Sequence, residues 1–365
     1  MKVAVVQDWL LVNGGAEKVL KEILNCYPEA DVFSLIDFMP NDHRKEILQN
    51  KNATTSWLQK LPGIKSWYRN LLPFFPKAIE SLNLEGYDLI ISSSYCVAKG
   101  VPRKKNKQIH VCYCHSPIRY VWDLNEQYLN EMGSLKKMVF KFFMNYIKRW
   151  DLKTVANVDF FIANSQFVQE RIQRIYNRDS AVIYPPVDLS FFSYNKEERL
   201  DYYFTSCRLV GYKKVDLIVQ AFNKLPKLKL VVGGDGPEFE KLKAIAHQNI
   251  SFKGYLSKAE YLETMQNAKA FVLAAEEDFG ITSLEAQACG TPVIALKKGG
   301  YLESVLEGET GVFFPDQTDV SLIETLIKFN KNPLKLNKDT VTEHLEKFKK
   351  ESFTAQFKKY VSAKI

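Results

Sequence analysis

The sequence predicts an α/β protein built from two doubly wound parallel-sheet domains, on three observations. Short apolar runs of strand length alternate with helix-length segments in two separate regions. The first series stops at Pro185-Pro186, a pair that ends regular structure. A second series restarts at Tyr202.

Taken in order, Lys2–Val6 reads as a buried strand, followed by a loop holding Gly14-Gly15 and a helix over about Ala16–Tyr27. Asp31–Leu35, Leu89–Ser92, Gln108–Cys114 and Phe160–Ala163 read as further strands. After Asn164-Ser165, Gln166–Tyr176 has helical spacing, and Ala181–Tyr184 is a last short strand before the linker. In the second region Tyr202–Cys207 is a strand and Val215–Asn223 a helix. Lys229–Val232 is a strand running into Gly233-Gly234-Asp235-Gly236-Pro237-Glu238, with a helix at Phe239–His247. Alternation continues through Ala270–Leu273, Thr282–Cys289 and Pro292–Leu296. Finally, Ser352–Val361 sets Phe353, Phe357 and Tyr360 on one helical face, expected to pack back on the first domain. The expected domains are 1–184 and 185–345, with a crossing helix in 346–365. Open sheets of this kind bind ligands at the carboxyl ends of their strands, so a cleft between the two domains is the expected site.

The 365 residues suffice for two cores, and 46% apolar with 25% charged residues is an ordered globular composition. Six cysteines without framework spacing imply a reducing compartment and no disulfides. The apolar run at the start is too short for a signal-peptide core. No stretch approaches the roughly 20 apolar residues that span a bilayer. A cytoplasmic location is expected, either free or peripheral on the inner face of the cell membrane. The net charge of +8 suits an anionic partner. No helix-turn-helix, zinc-finger or aromatic RNA-binding signature accompanies it, so nucleic acid is not expected.

Several constellations carry chemistry. Gly14-Gly15-Ala16-Glu17 precedes a helix, where small residues admit an anion to backbone N–H groups or merely shape a tight turn. Arg208-Leu209-Val210-Gly211-Tyr212-Lys213-Lys214 follows a strand directly. Two cations there suit a diphosphate leaving group, or form a solvated basic loop. Glu277 and Glu285 are too far apart for an i, i+4 pair and are placed to hold two parts of an elongated ligand. Alternatively, Glu285 is a first-turn residue favoured by the helix dipole and Glu277 a surface residue. His115 ends a strand and either bonds a ligand hydroxyl or is a satisfied loop histidine. His110, Cys112 and Cys114 lack a second pair at metal-ligand spacing, so no metal is expected. The segments Trp57–Lys77 and Lys136–Trp150 are aromatic and basic, as a face lying on an anionic bilayer would be, or as ordinary core helices with snorkelling lysines.

These residues resemble a known family. Glu277-Asp278-Phe279-Gly280-Ile281-Thr282-Ser283-Leu284-Glu285 looks like the E-x7-E region of retaining family 4 glycosyltransferases, which have the GT-B fold. Arg208 with Lys213 resembles that family's diphosphate-binding pair, and Gly14-Gly15 its amino-terminal glycine loop. Val232–Glu238 and Asn164-Ser165 match as well, in the same order along nearly the whole chain. Cys112–Asp123, Tyr212–Asp216 and the Gln7-Asp8-Trp9 start narrow the likeness to a bacterial polysaccharide (O-antigen type) mannosyltransferase subgroup using GDP-mannose. Carried over, the resemblance implies Arg208, Lys213, Glu277 and His115 in catalysis. It implies Gly14, Gly15, Lys214, Gly234, Asp235, Phe279, Gly280, Ile281, Thr282 and Glu285 around the donor, with Glu285 on the ribose. It also implies metal-independent transfer to a lipid-linked saccharide. Lys214 departs from the family pattern, which often has glycine there. A UDP-sugar-dependent enzyme of the same fold and a non-catalytic nucleotide-sugar-binding module remain the alternatives.

Overall fold

The computed structural model describes residues 1–123, 134–194 and 199–365. Within the basic-aromatic segment above, the side chains of Lys136, Lys137 and Phe140 lie outside the described residues. The chain divides into two compact units, Met1–Pro186 with Lys350–Ile365, and Val187–Lys349.

In the first unit the described strands are β1 (Val3–Gln7), β2 (Asp31–Ser34), β3 (Ala53–Thr55), β4 (Leu89–Ser94), β5 (Ile109–Cys114), β6 (Phe160–Ala163) and β7 (Ser180–Val182). They form one parallel sheet in the order β3-β2-β1-β4-β5-β6-β7. β1 is buried at all five positions because both its faces are covered, so it reads as a continuous apolar run. Its register pairs Val5 with Val32 on one side and with Ile91 on the other. The helix α1 (Gly15–Cys26) lays Val19, Leu20, Ile23 and Leu24 on the sheet, all fully buried. The carboxyl-terminal helix α2 (Lys350–Ser362) packs in this same core through Phe353, Phe357 and Val361. The Phe353 and Phe357 rings stack at 5.5 Å, and Tyr113 meets Phe353 at 5.8 Å. Val361 rather than Tyr360 completes the buried face, and Tyr360, partly buried, packs at its edge.

The second unit holds β8 (Tyr203–Ser206), β9 (Leu230–Gly233), β10 (Ile250–Gly254), β11 (Ala270–Leu273), β12 (Val293–Leu296) and β13 (Gly311–Phe314). Their order is β10-β9-β8-β11-β12-β13, again parallel. In both sheets the order reverses beside the first strand, the switch point where loops on either side diverge and leave room for a ligand. Among the described residues no helix is long and apolar enough to cross a membrane. All six cysteines are free.

Candidate active site

In the second unit the site residues lie at the carboxyl ends of β8, β9 and β11. After β8 the chain passes Cys207 and exposed Arg208, makes a tight turn at Gly211–Lys213, and places Lys214 in the left-handed region at φ 55°. That conformation explains why glycine suits position 214: a Cβ is crowded by the following carbonyl there. The loop after β9 rests directly on this segment. A Cβ at Gly234, itself at φ 106°, would come within 1.9 Å of the Cys207 carbonyl oxygen. Leu209 N–H donates to the Asp235 carbonyl at 2.9 Å. Gly234 therefore serves close backbone contact, and Asp235, whose Oδ1 accepts from Gly236 N–H at 2.7 Å, lies exposed beside Arg208's loop.

The loop after β11 brings Glu277 to Lys213, and Lys213 Nζ donates directly to Glu277 Oε1. Both side chains are largely covered, at 23% and 17% exposure, so water screens the pair weakly. Burial works against the ammonium charge, but the attraction and hydrogen bond of Glu277, joined by Tyr212 and Cys207, together outweigh it, and the Lys213 pKa is raised above its ordinary value. Gly280 at φ 81° opens the helix α3 (Ile281–Ala288), one residue earlier than the spacing predicts. A Cβ on Gly280 would lie 2.4 Å from the Tyr301 ring. Phe279 is buried against Phe348, at 5.6 Å between ring centroids. Ile281 and Thr282, half-buried, form the first turn of α3. Glu285 follows on the second turn, only 3% exposed, and accepts a hydrogen bond from Tyr261 Oη at 3.0 Å.

Sequence reasoning missed the support beneath Glu277. Gly299 and Gly300 follow β12, and Gly300 N–H donates to the Glu277 carbonyl at 2.9 Å. A Cβ on Gly300 would lie 2.3 Å from Phe279 Cα. A glycine pair two residues beyond the expected strand Pro292–Leu296 was the available signal.

In the first unit the loop at Gly14-Gly15 is served by its own helix. Glu17 Oε2 accepts from Gly14 N–H at 3.0 Å, and a Cβ on Gly14 would meet that oxygen at 2.9 Å. Gly14 has φ −107°, open to any residue, so the glycine answers a close carboxylate rather than a turn. Gly15 begins α1 and is exposed. Burial pushes the Glu17 carboxyl up to about 7, against hydrogen bonds that favour the ion. Asp8, at the end of β1, is also fully buried; it accepts N–H bonds from Tyr95, Cys96, Val97 and Ala98 at 2.6–3.0 Å. Desolvation still wins there, and its pKa rises to about 6. His115 follows β5. Its Nε2 shares a hydrogen bond with Ser93 Oγ at 2.8 Å, and its ring packs on Tyr113 and Tyr95. Burial lowers its pKa to about 3, so the imidazole is neutral and presents one donor and one acceptor. Since β1, β4 and β5 are neighbours, Asp8, Trp9, Tyr95 and His115 gather at one sheet edge, with Trp9 and Tyr95 edge to face at 5.0 Å.

Other motif residues are engaged internally. His110 bonds Ser92 Oγ and the Asn157 carbonyl. Asp123 is ion-paired with Arg171, and Trp122 Nε1 donates to Asp151 at 2.8 Å. Asp151 in turn pairs with buried Lys99 at 2.9 Å. Among the described residues no group of three or more His, Cys, Asp or Glu side chains is placed to hold a metal ion.

Residues 13–191 match the model of Glycosyltransferase Family 4, and residues 187–351 that of Glycosyl transferases group 1. The human alpha-1,3/1,6-mannosyltransferase ALG2 is 25% identical over 76% of this chain and 74% of its own length. The GDP-mannose-dependent alpha-(1-6)-phosphatidylinositol monomannoside mannosyltransferase of Mycolicibacterium smegmatis is 33% identical, over 33% of this chain and 36% of that enzyme. Among solved structures, Anabaena HepE in complex with UDP-glucose superposes with a TM-score of 0.72 at 18% identity, covering 100% of both chains. The two family matches together run from residue 13 to residue 351, and the chain is a glycosyltransferase of the group 1, family 4 type with the GT-B fold.

Proposed function

We propose that this enzyme transfers mannose from GDP-mannose, with retention of anomeric configuration, to a lipid-linked saccharide in cell-surface polysaccharide synthesis. The observation that carries the reading is the Lys213–Glu277 pair set beside Arg208 at one sheet edge. A diphosphate leaving group develops negative charge that two preorganised cations stabilise without a metal. Lys213 has three donors, enough to hold Glu277 and a phosphate oxygen together. Glu277 then reaches the donor sugar while Lys214, Gly234, Asp235 and the 279–282 turn border the nucleotide, and Glu285 takes the ribose. The acceptor oxygen bonds the anomeric carbon on the face the diphosphate leaves, the carbon–phosphate oxygen bond breaks, and the acceptor proton passes to the departing phosphate. His115 and the Gly14-Gly15 loop border the transferred sugar and acceptor.

Mannose is favoured by the mannosyltransferase relatives, and GDP by the donor named for the mycobacterial one. Support for a membrane-bound acceptor comes from helix Ser134–Thr154. It buries Met144, Ile147 and Trp150 but leaves Met138 64% and Phe142 70% exposed, beside exposed Lys141, Lys148 and Arg149. Phe74, 50% exposed, adds to the same unit's aromatic surface. Such a face suits insertion at an anionic headgroup boundary.

The test is a donor screen by hydrolysis and thermal shift across GDP-, UDP- and ADP-sugars. Selective stabilisation and turnover with GDP-mannose, giving an α-linked product, is the expected result. Response to UDP-sugars alone overturns the donor assignment, and donor binding without turnover in the presence of saccharide acceptors overturns the catalytic one. Arg208→Ala should lower turnover roughly 100-fold or more, as removal of other preorganised donors does.

A further inference from the structure

Glu285 poses a physical question that its own helix does not answer. A glutamate side chain has three rotatable bonds, and this one is almost wholly withdrawn from water. A buried carboxylate needs partners that hold its charge. One partner comes from a different element, the helix Lys258–Asn267, where Tyr261 Oη donates to Glu285 Oε2 at 3.0 Å. Tyr261 is held in turn. Its ring lies 5.9 Å from Phe204 on β8 and 6.1 Å from Phe192, edge to face, and Phe204 packs on Phe271 of β11 at 5.5 Å. Phe204 and Phe271 are fully buried at the centre of the sheet. The hydroxyl therefore stands at a position set by the core, not by a loop.

We infer that Tyr261 is a positioning residue for donor binding: its hydroxyl fixes the Glu285 carboxylate in the orientation that accepts hydrogen bonds from the nucleotide ribose. The inference rests on the reading of Glu285 as the ribose-binding group. A carboxylate held in one rotamer loses less freedom on binding, and in a site with little water it is a strong acceptor. Burial beside Glu285 raises the Tyr261 hydroxyl well above its ordinary pKa, so it remains a donor throughout the working range. Tyr261 itself need not touch the ligand, and no sequence motif marks it.

The experiment measures the affinities of GDP and 2′,3′-dideoxy-GDP for wild type, Tyr261→Phe and Glu285→Gln, with the UDP pair in parallel should the donor screen select uridine. The ratio of the two affinities is read on folded protein, so a loss of stability does not move it. Wild type should favour the ribose form by roughly tenfold or more. Tyr261→Phe should narrow that ratio several-fold and raise the donor KM, with kcat within about twofold of wild type. Narrowing in Glu285→Gln with a wild-type ratio in Tyr261→Phe overturns the positioning role and leaves the ribose reading standing. A wild-type ratio in Glu285→Gln overturns the ribose reading, and the role of Tyr261 with it.

Discussion

Gly300→Ala tests whether the loop carrying Glu277 is built by close backbone packing. The new Cβ would lie 2.3 Å from Phe279 Cα and 2.7 Å from both Asp278 O and Phe279 N, where ordinary contact begins at 3.4 Å. All three are backbone atoms, so no rotamer relieves the clash, and the 278–279 segment must retreat by about 1 Å. The Gly300 N–H bond to the Glu277 carbonyl stretches with it. Over-packing of this kind costs roughly 1–3 kcal/mol. In a unit of this size that lowers the melting temperature by roughly 2–12 °C. A displacement of about 1 Å at a reacting group can cost roughly 100-fold in rate. The assay is steady-state transfer from the nucleotide sugar, normalised to folded protein, alongside thermal melting. Gly308→Ala is the control: it also has positive φ, 82°, but its Cβ would meet nothing within 4 Å. It should lose roughly 1 kcal/mol of stability and keep its turnover. Turnover of Gly300→Ala within twofold of wild type, with an unchanged melt, would refute the reasoning.

Lys214→Gly should leave turnover within a few-fold and raise stability by up to roughly 1 kcal/mol, since it relieves a left-handed lysine at the expense of unfolded-chain entropy; a loss beyond 100-fold would move the phosphate role from Lys213 to Lys214. Glu17→Gln should gain on wild type in melting temperature as pH rises from about 4.5 to about 7 and hold that gain above it. A carboxyl whose folded pKa is raised contributes stability below its unfolded pKa that is lost as pH climbs through the folded value, about 7 here, and glutamine carries no such term. A pH-independent difference between the two proteins would contradict the assignment of a buried acid. Lys99→Met should cost roughly 3–5 kcal/mol in chemical denaturation, because it leaves the Asp151 charge buried without its cation, and a loss under 1 kcal/mol would show that water replaces the ammonium.

The central strands were legible because burial on both faces favours continuous apolar runs, as in Val3–Val6 of β1 and in β11. The strands that sequence reasoning passed over, β3, β10 and β13, are all sheet edges. β10 shows why: Ile250-Ser251-Phe252-Lys253-Gly254 alternates between covered and open positions and carries polar residues on its open side. Within the candidate site, the charged residues Arg208, Lys213, Glu277 and Glu285 stand out in the sequence by residue type and by their place after a strand or at a helix start. The site was not legible where a residue acts through another. Tyr261 and Gly300 sit 24 and 23 positions from the glutamates they support, Glu285 and Glu277, with no periodicity to connect them.

The sequence alone was enough to determine the alternation of strands and helices and the order of charged and glycine-rich loops, because these follow from local chemistry and spacing. Tertiary structure decided which of those groups meet. Lys213 and Glu277, 64 residues apart, form a weakly screened pair only because β8 and β11 are neighbours in the sheet. Gly14 accommodates a close carboxylate, and Asp8 and Glu17 hold their protons toward neutral pH, only because folding removes water from both acids. Desolvation and adjacency belong to the packed chain, and no reading of residues in sequence can supply them.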